Sequence, residues 1–221
     1  MPVDKVTNVG CGPDTELKEE HFRGIVSIIA GAAKGAMNHQ RSIANRCFWA
    51  YELNAGSGMN EYNGNVFEGS PLIALDVLRN LQLPYRAVFM DNGKDNIDNL
   101  RVLAGNDPNV TCVLANNADY MRSHCSNVGR DCYGYVFHDP NGVDDFNADM
   151  LLDIFNYPAF HRIDLIINIG ATSFKRVLGA FPNRQDARLD TAISRLVDRK
   201  KVWLVREPYG KNQWTFLVGS N

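Results

Sequence analysis

Apolar positions along the 221-residue chain fall first at helical spacing and then in short continuous runs. After the cluster Gly10, Gly12 and Pro13, Asp14 or Thr15 stands where a helix cap is needed for a helix running to about Met37. Phe22, Ile25, Val26, Ile29 and Ala33 recur at three- and four-residue steps along one face of that helix. The run 47–53 is aromatic-rich and leads into Asn54-Ala55-Gly56-Ser57-Gly58, the pattern of a buried strand entering a glycine loop. A loop over 56–69 ends at Ser70-Pro71, with serine at the cap and proline at the first position of the next helix. Strands over 86–91, 110–114, 133–138 and 163–169 then alternate with helices marked by Ile97 and Leu100 and by the stretches 118–124, 148–155 and 186–198. Continuously apolar strands alternating with helices predict an α/β fold whose sheet is mostly parallel and covered on both faces. The last two strands, over 202–206 and 213–218, are joined by too short a segment for a crossover and should pair as an antiparallel hairpin.

Composition narrows the class rather than the function. With 45% hydrophobic and 22% charged residues the chain is an ordinary globular one. Its longest apolar stretch, 24–33, is broken by Ser27 and Gly31 and falls short of the roughly 20 residues a bilayer span needs, so no membrane segment is expected. Residues 1–12 lack the pattern of a secretory signal, and the expected location is the cytoplasm. Cys11, Cys47, Cys112, Cys125 and Cys132 are odd in number and scattered without a CxxC pair, which argues against a disulfide framework and a cysteine metal site. A net charge of −2 confines any nucleic-acid contact to a local patch. The candidate is Lys175, Arg176, Arg184, Arg188, Arg195, Arg199, Lys200 and Lys201, read either as a phosphate-tracking stripe or as a solvated face ion-paired with Asp186, Asp190 and Asp198.

Candidate chemistry gathers where strands should end. Glu52 precedes the glycine loop, and Gly56 and Gly58 stand where a ligand must come close to the backbone. Asp91 ends the next strand, where an open α/β sheet places an acceptor for a ribose diol, though a solvated turn residue would look the same. Asn116, Asn117 and Asp119 follow the third strand and suit either an adenine amino group or loop capping. His138-Asp139-Pro140-Asn141-Gly142 closes the fourth; His138 reads as a base or as a partly buried strand-end histidine. Tyr62, Tyr135 and Phe146 could stack on an acceptor or simply fill the core, and the 56–69 loop could be a lid or a surface insertion.

These placements resemble the class I S-adenosylmethionine-dependent methyltransferases. An acid, three positions and then Gly-x-Gly is met by Glu52, Gly56 and Gly58, with Asn54 in place of a frequent extra glycine. The resemblance covers roughly 45–221 and implies a Rossmann-like sheet of order 3-2-1-4-5-7-6, preceded by a helical N-terminal extension over 1–44. It implies that Glu52, Asn54, Gly56, Gly58, Asp91 and Asn117 bind S-adenosylmethionine. It also implies that Asp139 and Pro140 orient an acceptor amine, in the manner of the amino-methyltransferases of adenine and cytosine; Asn141 and Gly142 depart from that pattern, which has a second proline and an aromatic. A narrower likeness, to the bacterial and phage three-Cys-motif partner proteins, rests on Ala55 to Gly58, Gly69-Ser70-Pro71-Leu72, the Asp-Pro-x-Gly turn and the Gln213-Trp214 strand. The resemblance therefore implies methyl transfer, with a nucleic-acid base amine as the leading acceptor and no metal. The alternatives are a cofactor-binding or degenerate domain serving as a partner or regulatory subunit and, less well matched, a nicotinamide-dependent oxidoreductase.

Overall fold

The computed structural model describes residues 11–39, 46–128, 132–140, 146–170, 194–205 and 214–221. Helix α1 (Thr15–His39) opens the chain, and Phe22, Val26, Ala30 and Ala33 form its buried stripe. The N–H of Gly12 donates to Thr15 Oγ1 at 2.8 Å, so the threonine side chain tightens the helix start. Phe22 sits 4.4 Å from the ring of Phe137 and within 6.4 Å of Phe216, and burying a side chain of that size stabilises the fold by about 2 kcal/mol.

Strand β1 (Phe48–Glu52) is followed by a hairpin of β2 (Met59–Tyr62) and β3 (Asn65–Glu68), then α2 (Ser70–Asn80), β4 (Tyr85–Asp91), α3 (Lys94–Ala104), β5 (Val110–Leu114) and α4 (Asn117–Cys125). The chain continues through β6 (Tyr133–His138), α5 (Ala148–Asn156), a 3-10 turn, β7 (Ile163–Gly170), β8 (Val202–Val205) and β9 (Trp214–Ser220). Seven strands form one sheet in the order β5-β4-β1-β6-β7-β9-β8. The first five pair parallel, whereas β9 pairs antiparallel with both β7 and β8. This is the expected strand order and the expected Rossmann-like sheet. One apolar core lies under α1, α2 and α3, and a second lies on the opposite face under α4 and α5.

Three local expectations are corrected. The stretch 56–69 is not an irregular loop: Asn63 and Gly64 both adopt positive φ, 51° and 79°, and make the two-residue turn that matches hairpin twist. Ser70 does not cap α2; Gly69 occupies the cap without a side-chain bond, and the serine turns inward instead. Lys200 is not on an exposed basic face: its side chain is buried, donates to the Ile163 carbonyl at 2.6 Å and lies over the Phe155 ring. Of the basic stripe, Arg195 and Arg199 are exposed, while Lys175, Arg176, Arg184 and Arg188 lie outside the described residues, as do most of the 186–198 helix and the 206–213 connection.

Candidate active site

The parallel strands bring their carboxyl ends to one rim of the sheet, and the residues singled out from the sequence meet there. Gly56 is left-handed at φ +63°, and a side chain built on it would project into open space. Its N–H donates to Asp91 Oδ2 at 3.0 Å, so the glycine loop after β1 and the acid ending β4 form one unit. Asp91 Oδ1 accepts from the Gly93 N–H at 2.7 Å and from Asn96 Nδ2 at 3.0 Å. Gly58, at φ +85°, is glycine for a different reason. A Cβ there would stand 2.8 Å from Leu100 Cδ1, so its bareness lets the loop pack on α3.

Glu52 lies beneath the loop with no exposed surface. Its Oε2 accepts from Ser70 Oγ at 2.7 Å and its Oε1 from the Tyr135 hydroxyl at 3.2 Å. The acid thus ties β1 to α2 and β6, and Tyr135 belongs to the core rather than to a stacking surface. Burial pushes the Glu52 carboxyl up to about 8, although both hydroxyl donors oppose it.

After β5, the two adjacent asparagines separate in role. Asn116 caps α4, accepting from the N–H groups of Ala118 and Asp119. Asn117 keeps a buried Oδ1 with no partner. At the end of β6, His138 Nδ1 meets Asn54 Oδ1 at 2.9 Å, which places the proton on Nδ1 and leaves a lone pair on the buried Nε2, also without a partner. Burial lowers the His138 pKa to about 4, so the ring is neutral at physiological pH, and it stacks on Phe146 at 5.8 Å.

Residues from α1 complete the rim, and the sequence did not single them out. Lys18 Nζ pairs with Asp139 Oδ2 at 2.8 Å, while Asn168 Nδ2 from β7 donates to Asp139 Oδ1 at 2.7 Å. Glu19 lies beside Lys18 at 3.7 Å, and Glu19 Oε1 accepts from Asn60 Nδ2 of the hairpin at 3.3 Å. Arg23 joins Glu68 at 2.9 Å, so the hairpin is fastened to α1. Burial pushes Glu19 up to about 7 against the pull of Lys18; for Lys18, burial opposes the charge, but Asp139 and Glu19 outweigh it and raise the pKa. A signal for these residues was present: Glu19 interrupts the apolar stripe three residues before Phe22, and Asn168 is an amide within the apolar run Leu165 to Ile169.

The arrangement provides a bare glycine loop, a strand-end carboxylate, and an unpaired amide oxygen one strand further along, which together fit an adenine nucleoside ligand. Among the described residues, no group of three or more histidines, cysteines and acids could hold a metal ion, and no helix is long and apolar enough to cross a membrane.

Several solved structures that share this architecture are methyltransferases by name. The N-methyltransferase NodS from Bradyrhizobium japonicum WM9 aligns over 94% of this chain and 98% of its own at 6% identity, with a TM-score of 0.53. Human methyltransferase-like protein 13, solved in complex with SAH, aligns over 91% and 82% at 11% identity with a TM-score of 0.55. The DszA carbon methyltransferase aligns over 91% of this chain and 54% of its own at 10% identity with a TM-score of 0.58. At these identities the likeness is one of fold. No protein-family model and no curated protein sequence matches the chain.

Proposed function

We propose that the chain is an S-adenosylmethionine-dependent methyltransferase acting on an amino group of a nucleic-acid base. The observation that carries this reading is the Gly56 N–H held on the Asp91 carboxylate beside open space, at the carboxyl ends of a sheet that closes with antiparallel strands. When bound, S-adenosylmethionine supplies a methyl group activated by its positively charged sulfur. Asp91 Oδ2 accepts a ribose hydroxyl beside the Gly56 N–H, and Asn117 Oδ1 takes an adenine N–H. Gly56 and Asn54 line the approach, Gly58 fixes the loop on α3, and Glu52 anchors its root through Ser70 and Tyr135. On the acceptor side Asp139, Pro140 and His138 form the wall at the end of β6. Transfer to a nucleophilic nitrogen depends chiefly on alignment, so this set needs to position more than to ionise.

A second reading, a cofactor-binding partner or regulatory subunit, is supported by the Lys18–Asp139 ion pair, which already engages the acceptor-side acid. Titration calorimetry with S-adenosylmethionine and SAH tests the shared part. The expected result is saturable binding that weakens at least about tenfold in Gly56→Val and in Asp91→Ala. No binding by the wild type overturns both readings, and binding without turnover on any DNA or RNA pool favours the second.

A further inference from the structure

We infer that Asn168 is the residue that accepts the N–H of the methyl acceptor, the exocyclic amine of a nucleobase, and that Asp139 and Lys18 act as positioning residues holding its amide. This rests on the methyltransferase reading and assigns the acceptor end of the same site. The orientation of the amide follows from chemistry. An ionised carboxylate only accepts, so the Asn168 atom 2.7 Å from Asp139 Oδ1 is the amino nitrogen, and the carbonyl oxygen is the atom turned away.

That oxygen is buried and has no partner, in a residue only 7% exposed. A buried acceptor left without a donor carries an uncompensated desolvation cost, which is recovered when a ligand brings the donor. Asp139 already accepts at both oxygens, from Asn168 and from Lys18, whereas Asn168 Oδ1 has no donor. Along the same chain of contacts lies the next free acceptor, Glu19 Oε2, beyond Lys18. Two unpaired buried oxygens flanking the Lys18–Asp139 pair call for a ligand with N–H groups to give. The Lys18 ammonium selects among such ligands, since a second cation placed beside it would be repelled. A neutral conjugated amine, whose nitrogen carries two N–H bonds and no charge, meets both conditions.

The test is fluorescence anisotropy at pH 8, above the Glu19 value of about 7, in saturating SAH. Two single-stranded oligonucleotides are compared, one containing adenine and the other purine, which lacks the 6-amino group; a pair containing cytosine and 2-pyrimidinone, which lacks the 4-amino group, is run alongside. The wild type should prefer the amine-bearing strand of at least one pair by about tenfold. Asn168→Ala should bind both strands of that pair equally, with SAH affinity unchanged. Glu19→Gln is isosteric and keeps Oε1 for Asn60, but it turns an N–H toward the ligand; it too should erode the preference. A purely structural role for Asn168 would weaken both strands alike. The assignment is overturned if the preference survives in Asn168→Ala, or if wild type binds SAH yet shows no preference or no oligonucleotide binding. Wild type that does not bind SAH instead refutes the methyltransferase reading, and this assignment falls with it.

Discussion

At the amino ends of the strands, Asp107 accepts from Arg79 Nη2 at 2.8 Å, from the Asn109 N–H at 2.9 Å and from the Tyr85 hydroxyl. At the carboxyl ends, by contrast, Glu19 Oε2, Asn117 Oδ1, His138 Nε2 and Asn168 Oδ1 are all buried without a partner. The acids differ accordingly. Burial would push Asp107 up, but the bonds from Tyr85 and Arg79 outweigh it and hold the carboxyl down at about 2. For Glu52 and Glu19 burial wins, and they rise to about 8 and about 7. Arg46, just ahead of β1, is the exception at the amino ends, with Nε and Nη2 unpaired. A satisfied cluster holds the fold together, whereas unpaired buried groups crowded on one rim cost stability and are expected where a ligand supplies the missing bonds.

The largest effect on stability should come from the satisfied end. Asp107→Ala strands three donors and should lower stability by about 1–3 kcal/mol, a drop of roughly 5 °C in melting temperature for a chain of this size. At the other end the effect should appear as a pH dependence. The folded Glu52 carboxyl titrates near 8, above its ordinary value of 4.5, so the folded state keeps a proton that the unfolded chain releases between those values. Its contribution is therefore complete below about pH 4.5 and lost as pH rises through 8. Relative to Glu52→Gln, the wild type should lose up to roughly 1 kcal/mol per pH unit between pH 5 and 8, measured by urea unfolding. The smallest effect belongs to the surface. Arg195 stands 4.0 Å from Asp149 with both side chains exposed, and Arg195→Ala should change stability by less than about 0.5 kcal/mol.

How much of this could be read from the sequence depended on distance along the chain. Helix α1, the mostly parallel sheet and the strand-end positions of Asp91 and His138 were legible because local periodicity and strand-to-helix alternation determine them, whereas the seven-strand order came from the family resemblance. The hairpin was missed although Asn63-Gly64 is a strong turn signal, because Glu61, Tyr62, Asn65 and Val66 around it lack a clear apolar alternation. Ser70-Pro71 read as a cap because that pairing usually is one; nothing nearby in sequence announces a buried acid eighteen residues earlier that takes the hydroxyl instead. The Lys18–Asp139 pair joins residues 121 positions apart, a contact that only the packing of α1 across β6 creates. Lys200 sits in a run of basic residues, and its burial beneath Phe155 depends on a neighbour from another element.

The most direct measurement sets Asp91→Ala against Asp107→Ala, with SAH affinity by calorimetry and thermal unfolding recorded on both. The account predicts that Asp91→Ala loses SAH binding while its far-ultraviolet circular dichroism shows the fold retained, and that Asp107→Ala melts several degrees lower with affinity within about twofold of wild type. Equal losses of affinity in the two variants, or wild type that fails to bind SAH, would contradict it.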